Sequence, residues 1–165
     1  MVQQRYLIAL GSNQRHHRHG RPEQVLQAAL AALGQGGIKV LAAAPVVRSA
    51  PLGPSRRRYA NGAALIKTSF EPDELLELLQ SIETDFGRRR SGQRWTARVL
   101  DLDIVLWSGG TWTSTGLTIP HVEFRGRDFV LKPASVIAAR WRDPVSGLSL
   151  RQLTSRLTRP RAIPR

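Results

Sequence analysis

Residues 99–107, VLDLDIVLW, constrain the fold of this chain more than any other stretch. Seven of the nine are apolar, several of them β-branched or aromatic, and the run reads as a largely buried strand. Side chains alternate faces along a strand. Val99, Asp101, Asp103, Val105 and Trp107 are therefore expected on one face, and Leu100, Leu102, Ile104 and Leu106 on the other, which faces a core. Aspartate is among the residues strands avoid, yet two stand at positions i and i+2. Their Cα atoms are roughly 6.5–7 Å apart on the same face. A solvated sheet face is the plain explanation, but Val105 and Trp107 on that same face argue against it. Cations held between the carboxylates relieve the repulsion. Magnesium, which takes a few carboxylates and completes its shell with water and phosphate oxygens, suits the arrangement.

The charge balance points to anionic ligands as well. The 165 residues carry 25 Lys+Arg against 12 Asp+Glu, a formal net charge of +13. Lys39, Lys67 and Lys132 are the lysines, so 22 of the cations are arginine, whose planar fork matches phosphate. Part of the excess has a bland reading as solvated surface. The chain has no cysteine, which excludes a disulfide framework and a cysteine-based zinc site. No apolar run approaches the roughly 20 residues of a membrane span. The start, MVQQRYLIALGSN, lacks an h-region and cleavage site, so no signal peptide and a cytoplasmic location are expected.

The order of elements sets the fold class. A strand over residues 4–13 ends at Gly-Ser-Asn, and a polar loop follows. Pro22 opens a helix over residues 23–37 whose apolar stripe is Val25, Leu26, Ala29, Leu30 and Leu33. A second strand (38–50) is interrupted at Pro45, and a third covers residues 60–70. A helix over residues 71–87 is acidic in its first turn, ends at Gly87 and presents Leu75, Leu76, Leu79, Ile82 and Phe86. The aspartate strand comes next. Residues 108–116 read as a turn region, 117–128 as a short extended piece and loop, 129–139 as a helix despite Pro133, and 149–157 as a last helix. This is the split βαβ pattern of an α+β, ferredoxin-like fold: a mainly antiparallel sheet with helices on one or both faces. A single domain over residues 1–158 is expected, with a frayed tail at 159–165.

Other motifs bear on chemistry. Arg88, Arg89, Arg90, Arg94 and Arg98, with Trp95 among them, form a basic loop leading into the aspartate strand. There they would meet the same phosphate oxygens from the opposite side. No P-loop motif is present. Tyr59 and Asn61 stand where a loop becomes a strand; a ring and an amide can hold a flat heterocycle. His121, Arg127 and Phe129 in PHVEFRGRDF are a possible set of nucleotide and ring contacts. His16, His17 and His19 lack a ligand spacing and are read as solvated loop residues.

These motifs, in order, resemble the 6-hydroxymethyl-7,8-dihydropterin pyrophosphokinases of folate synthesis. The resemblance rests on ALGSN, RSAPLGP…YANGA, IETDFGRRR…RWTARVLDLDIVLW and LTIPHVEFRGRDFVLKP. It implies transfer of a pyrophosphoryl group from ATP to the pterin's hydroxymethyl group, with two Mg²⁺ ions and release of AMP. By resemblance, Asp101 and Asp103 are metal ligands and catalytic together with Arg88 and Arg98. Around ATP the matches are Gln80, Glu83, Arg88, Arg90, Trp95, Arg98, Ile104, His121 and Arg127. Around the pterin they are Ser49, Leu52, Tyr59, Asn61, Asp101 and Phe129, with Tyr59 and Phe129 flanking the ring. Departures from the family pattern are Ala97 at a common proline, Ser49 at a threonine, Val122 after His121, and a basic SRRR at 55–58.

The partners expected are therefore ATP and the pterin, acting on a monomer, with neither membrane nor nucleic acid. An inactive paralogue and a basic RNA-binding module are the alternatives. The second is opposed by carboxylates on a strand where an RNA-recognition sheet would carry aromatics.

Overall fold

The computed structural model describes residues 1–49, 58–87, 99–160 and 162–164. In chain order the elements are β1 (Gln4–Ser12), α1 (Pro22–Gln35), β2 (Lys39–Ala43), β3 (Val47–Ser49), β4 (Tyr59–Thr68) and α2 (Pro72–Asp85). There follow β5 (Asp101–Trp107), β6 (Trp112–Ser114), β7 (Leu117–Ile119), a 3₁₀ turn (Phe124–Gly126), α3 (Asp128–Ala138) and α4 (Leu150–Thr158).

The main sheet runs β2-β4-β1-β5, with β3 also paired to β4, and every pairing is antiparallel. If β2 and β3 are taken as one strand broken at Pro45, the order is that of the ferredoxin-like split βαβ fold. The break follows from proline's missing N–H, which cannot join a ladder. Helices cover both faces. Tyr6, Ile8 and Leu10 of β1 face a core built with Val25, Leu26, Ala29 and Leu33 of α1 and Leu75, Leu79 and Ile82 of α2. Leu7 faces a second core with Val130, Leu131 and Ala134 of α3 and Leu150 and Leu153 of α4. Strict alternation along β1 thus feeds two cores, which explains why this strand is apolar at consecutive positions.

Strand β5 departs from simple alternation. Ile8 pairs with Ile104 but Leu7 pairs with Leu106, so Val105 is an extra residue in the ladder. Such a bulge inverts the faces of everything beyond it. Leu102 and Ile104 lie in the α1/α2 core as the alternation predicts. Val105 and Leu106 both lie in the α3/α4 core, and Trp107 packs against the first core, away from the aspartate face. The expectation that Trp107 shares a face with Asp101 and Asp103, and Leu106 the opposite one, is corrected by this bulge.

Residues 112–114, read as turn, form a strand instead. The β6–β7 hairpin closes through Thr115 and Gly116, and Gly116 has φ +84°, a conformation favouring glycine. The flanking glycines masked the short strand in the sequence. Trp112 of this hairpin meets Trp107 edge-on at 5.6 Å, which fastens the hairpin to β5.

Trp107 is also tied to β1, since its indole N–H donates to the side-chain oxygen of the buried Gln4. Trp107→Phe keeps most of the ring but leaves that acceptor without its donor. It is expected to cost about 1–3 kcal/mol in urea unfolding, and an unchanged midpoint would contradict the assigned face.

Candidate active site

Strand β1 lies between β4 and β5, and its register sets the site. Gly11 pairs with Asn61 on one side and Asp101 on the other; Ala9 pairs with Ala63 and Asp103. Directly opposed residues in an antiparallel sheet share a face, and this face is the one covered further along by α3 and α4. Asp101 is half-buried and Asp103 exposed. The residues between the two carboxylates and β4 are Gly11 and Ala9, so the floor of the cleft carries nothing larger than a methyl group. A Cβ on Gly11 would lie 3.7 Å from Asn61 Oδ1 and 3.8 Å from the Tyr59 ring.

The row continues across β4 onto β3. The Asn61 amide, buried, donates to Ser49 Oγ at 2.8 Å. Ser49 pairs with Tyr59 in the ladder. Asn61 therefore stands in line with Asp101 across the sheet, and Ser49 and the half-buried Tyr59 ring lie one pleat further along.

The helical side of the site comes from α2. Glu83, buried, accepts the Leu102 amide through Oε2 at 3.2 Å. Leu102 lies between the two aspartates, so Glu83 holds the backbone that carries them. Gln80 is one turn earlier on α2 and half-buried. Ile104 is not brought to the cleft: its side chain is in the α1/α2 core, opposite Ile8.

The third side is the segment before α3. The His121 amide donates to Val105 O at 3.0 Å, which seats this histidine beside β5 just past Asp103. Its Nδ1 accepts the Glu123 amide at 3.2 Å, which leaves Nε2 as the outward donor. Arg127 pairs with Glu123 and lies 5.7 Å from the Phe129 ring centroid. Phe129 is half-buried at the margin of the second core. Arg88, Arg90, Trp95, Arg98 and Leu52 lie outside the described residues.

The donor set fits magnesium. Asp101 and Asp103 are hard oxygen donors on one open face. Among the described residues no group of three or more His, Cys, Asp or Glu side chains is placed to hold a metal. Two carboxylates suit an ion that draws its remaining ligands from water and phosphate rather than from a closed protein cage.

The histidine loop is only partly the solvated stretch expected: His17 is exposed, but His16 and His19 are packed. His16 is buried and stacks on His17 at 4.4 Å, and His19 stacks on Phe86 at the end of α2 at 4.9 Å. His16 Nδ1 accepts the amides of Arg18 and His19, and its backbone pairs with Gly20. Burial, then the neighbouring His17, His19 and Arg18, pushes its pKa below the ordinary value. Composition concealed this because the order comes from backbone pairing within the loop. Its ring nitrogen is engaged locally, which supports a packing role.

Sequence reasoning also missed a support of the third side. Arg125 donates to the fully buried Asp143 through Nε at 2.6 Å and Nη2 at 2.8 Å. Ser146 Oγ and the Val145 amide bond the same carboxylate at 2.6 and 3.1 Å. The pair joins the 3₁₀ turn to the turn before α4 and so fixes the stretch from His121 to Phe129. The available signal was DPVSG, an aspartate followed by proline with glycine four residues on.

Comparison with known proteins places this architecture. The family model for 7,8-dihydro-6-hydroxymethylpterin-pyrophosphokinase (HPPK) matches residues 7–139. The chain belongs to this family. A relative from Synechocystis named 2-amino-4-hydroxy-6-hydroxymethyldihydropteridine pyrophosphokinase is 40% identical over 129 residues, covering 78% of this chain and 66% of that one. One of the same name from Pseudomonas aeruginosa is 38% identical over 143 residues, covering 86% and 85%. An HPPK-DHPS crystal structure from Plasmodium falciparum superposes with a TM-score of 0.66 at 11% identity, covering 94% of this chain and 43% of that one. That likeness supports the fold over 94% of this chain.

Burial alone would raise the Asp143 carboxyl, but its hydrogen bonds from Arg125, Ser146 and Val145 and the guanidinium charge outweigh it and hold the pKa below the usual range. The folded value lies under the roughly 3.9 of an unfolded aspartate. The pair's contribution is thus complete above about pH 4 and fades as pH falls below it. Asp143→Asn is expected to cost about 3 kcal/mol at pH 7 and about 1 kcal/mol less at pH 3, where the unfolded carboxyl is largely protonated but the folded one is still charged, read from urea midpoints at both. An equal loss at the two values would refute the charge-based account.

Proposed function

We propose that this chain transfers the pyrophosphoryl group of ATP to the hydroxymethyl group of 6-hydroxymethyl-7,8-dihydropterin, as its family membership implies. The observation that carries the assignment to particular residues is the row Ser49–Asn61–Gly11–Asp101, with Asp103 one pleat away. It sets a heterocycle edge beside a carboxylate pair over a floor with no side chain larger than a methyl group.

In this reading the pterin lies over Gly11 between Tyr59 and Phe129. Its polar edge meets Asn61, which Ser49 orients, and Leu52 adds apolar contact. The hydroxymethyl group then points toward Asp101. The hydroxymethyl oxygen bonds to the β-phosphorus of ATP, the bond from that phosphorus to the α–β bridging oxygen breaks, and AMP leaves with that oxygen. Asp101 is placed to receive the hydroxyl proton. Asp101 and Asp103 would hold magnesium, two ions being expected, and the metal when bound neutralises and orients the polyphosphate.

ATP lies along the β5 edge. His121 Nε2 and Arg127 serve its phosphates and Gln80 its base or ribose, while Glu83 acts by holding the aspartate strand. Ile104 contributes through its backbone, since its side chain is in the core. Arg88, Arg90 and Arg98 supply charge to the transferring group, and Trp95 helps seal the site. The reaction asks for positioning and charge neutralisation more than for a strong base. The protein acts as a monomer in the cytoplasm. No helix among the described residues is long and apolar enough to cross a membrane.

AMP release from ATP and magnesium tests this reading. The wild-type protein should release AMP only when the pterin is present. Asp101→Asn and Asp103→Asn should each lower the rate by at least about 10²-fold with an unchanged melting temperature. Pterin-independent release, or full activity in either variant, would sink the assignment.

The bare floor makes a separate prediction. Gly11→Ala adds a Cβ at ordinary contact distances and should fold normally. Gly11→Val should also fold yet weaken pterin binding by at least about tenfold, the 1.4 kcal/mol scale of one misplaced methyl group or more. Titration calorimetry that finds the pterin equally tight on Gly11→Val would remove it from this floor.

A further inference from the structure

Beyond the active site, the surface carries arginines that the pyrophosphokinase reading does not use. Three hollows on the side of α3 and α4 share lining residues. The first, about 550 Å³, is lined by Arg5, Leu65, Ser108, Ile137, Arg140 and Trp141 among others. The second, about 610 Å³, shares Arg140 and adds Arg142, Ser149, Arg151 and Gln152. The third, about 470 Å³, shares Arg151 and Gln152 and adds Ser155, Arg156 and Arg159. Shared walls make these one continuous track.

Its charge is of one sign. Six arginines line it, and none of the lining residues is acidic. Among the described residues the ion pairs are Arg48–Glu23, Arg125–Asp143, Arg127–Glu123 and Lys132–Asp128, so no track arginine is neutralised by a carboxylate. Asp143, the acid adjacent to Arg142, is fully buried and already paired with Arg125. The Arg5 end of the track is also remote from the reaction. Arg5 and Gly11 are six residues apart on β1, about 20 Å along the strand.

We propose that this track binds single-stranded nucleic acid. A row of unneutralised guanidinium groups matches a linear run of phosphates better than one compact anion. Hollows linked along a line suit a flexible strand. At the Arg5 end the half-buried Trp141 offers a ring on which a base stacks, the other half of a single-strand platform. The carboxylates that argue against RNA on the sheet lie at the far end of β1 from Arg5 and Trp141.

The test is fluorescence anisotropy with a labelled 20-nucleotide oligouridylate in 0.1 M salt, beside an oligothymidylate, an abasic oligomer, a duplex and a polyglutamate peptide. The wild-type protein should bind both single strands, with log K falling against log salt at a slope of roughly −4, about 0.7 per neutralised phosphate. The abasic oligomer and the duplex should bind more weakly. The variant Arg140→Gln/Arg151→Gln/Arg156→Gln should bind at least tenfold more weakly with a slope near half, while its melting temperature and pterin-dependent AMP release stay unchanged. Equal binding by that variant, displacement of the strand by ATP with magnesium, or equal binding of duplex would overturn the proposal. Binding of polyglutamate without nucleic acid would overturn it too, in favour of an acidic protein partner.

Discussion

The register of β1 between β4 and β5 is the constraint on which the site depends. One glycine, Gly11, is paired at once with Asn61 and Asp101. A shift of one residue on either side would send Asn61 or both aspartates into the α1/α2 core. That register is held by burial: Tyr6, Leu7 and Ile8 are fully buried, and they fill two cores from consecutive positions. The chemistry at the open end of the strand is aligned by packing at its closed end.

The bulge in β5 reconciles the two halves of that strand. Before it, the α3/α4 face carries Asp101 and Asp103; after it, the same face carries Leu106 beside Val105. The change from polar to apolar coincides with where that face passes from open cleft to helix-covered core. The bulge also turns Trp107 back onto the α1/α2 side, where it anchors the β6–β7 hairpin through Trp112. The His121 amide bonds Val105 O, so the segment that follows the hairpin returns to β5 at the bulge. Bulges are frequent next to active sites because they re-aim side chains.

Much of this was legible in the sequence, for a physical reason: periodicity and punctuation are local. Pro22, Pro45, Gly87 and the apolar stripes of α1 and α2 marked elements whose order gave the fold. The paired aspartates announced themselves by standing where strands avoid them. What escaped reading was set by pairing between distant segments. The bulge at Val105 is visible only against β1, and so Trp107 was put on the wrong face. The resemblance sets Glu83 near ATP, but its bond to Leu102 depends on how α2 lies on β5 and has no local signal. The histidine loop looked solvated because its order rests on backbone bonds to Gly20, which composition does not encode.

The charge distribution separates two roles that a single net charge of +13 would merge. Electrostatic attraction between exposed charges fades over about 8 Å at physiological salt. Arg5, about 20 Å along β1 from Gly11, therefore adds little to the capture of ATP. Arg127 and the arginines of the loop before β5 are close enough in sequence to the aspartate strand and to His121 to serve the nucleotide. Desolvating many like charges side by side is unfavourable without an anion to neutralise them, and the track leaves its guanidinium groups open to solvent rather than packed away. A surface of that kind holds its charge available, and the ligand that benefits from it must lie along α3 and α4 rather than in the cleft between Asn61 and Asp101.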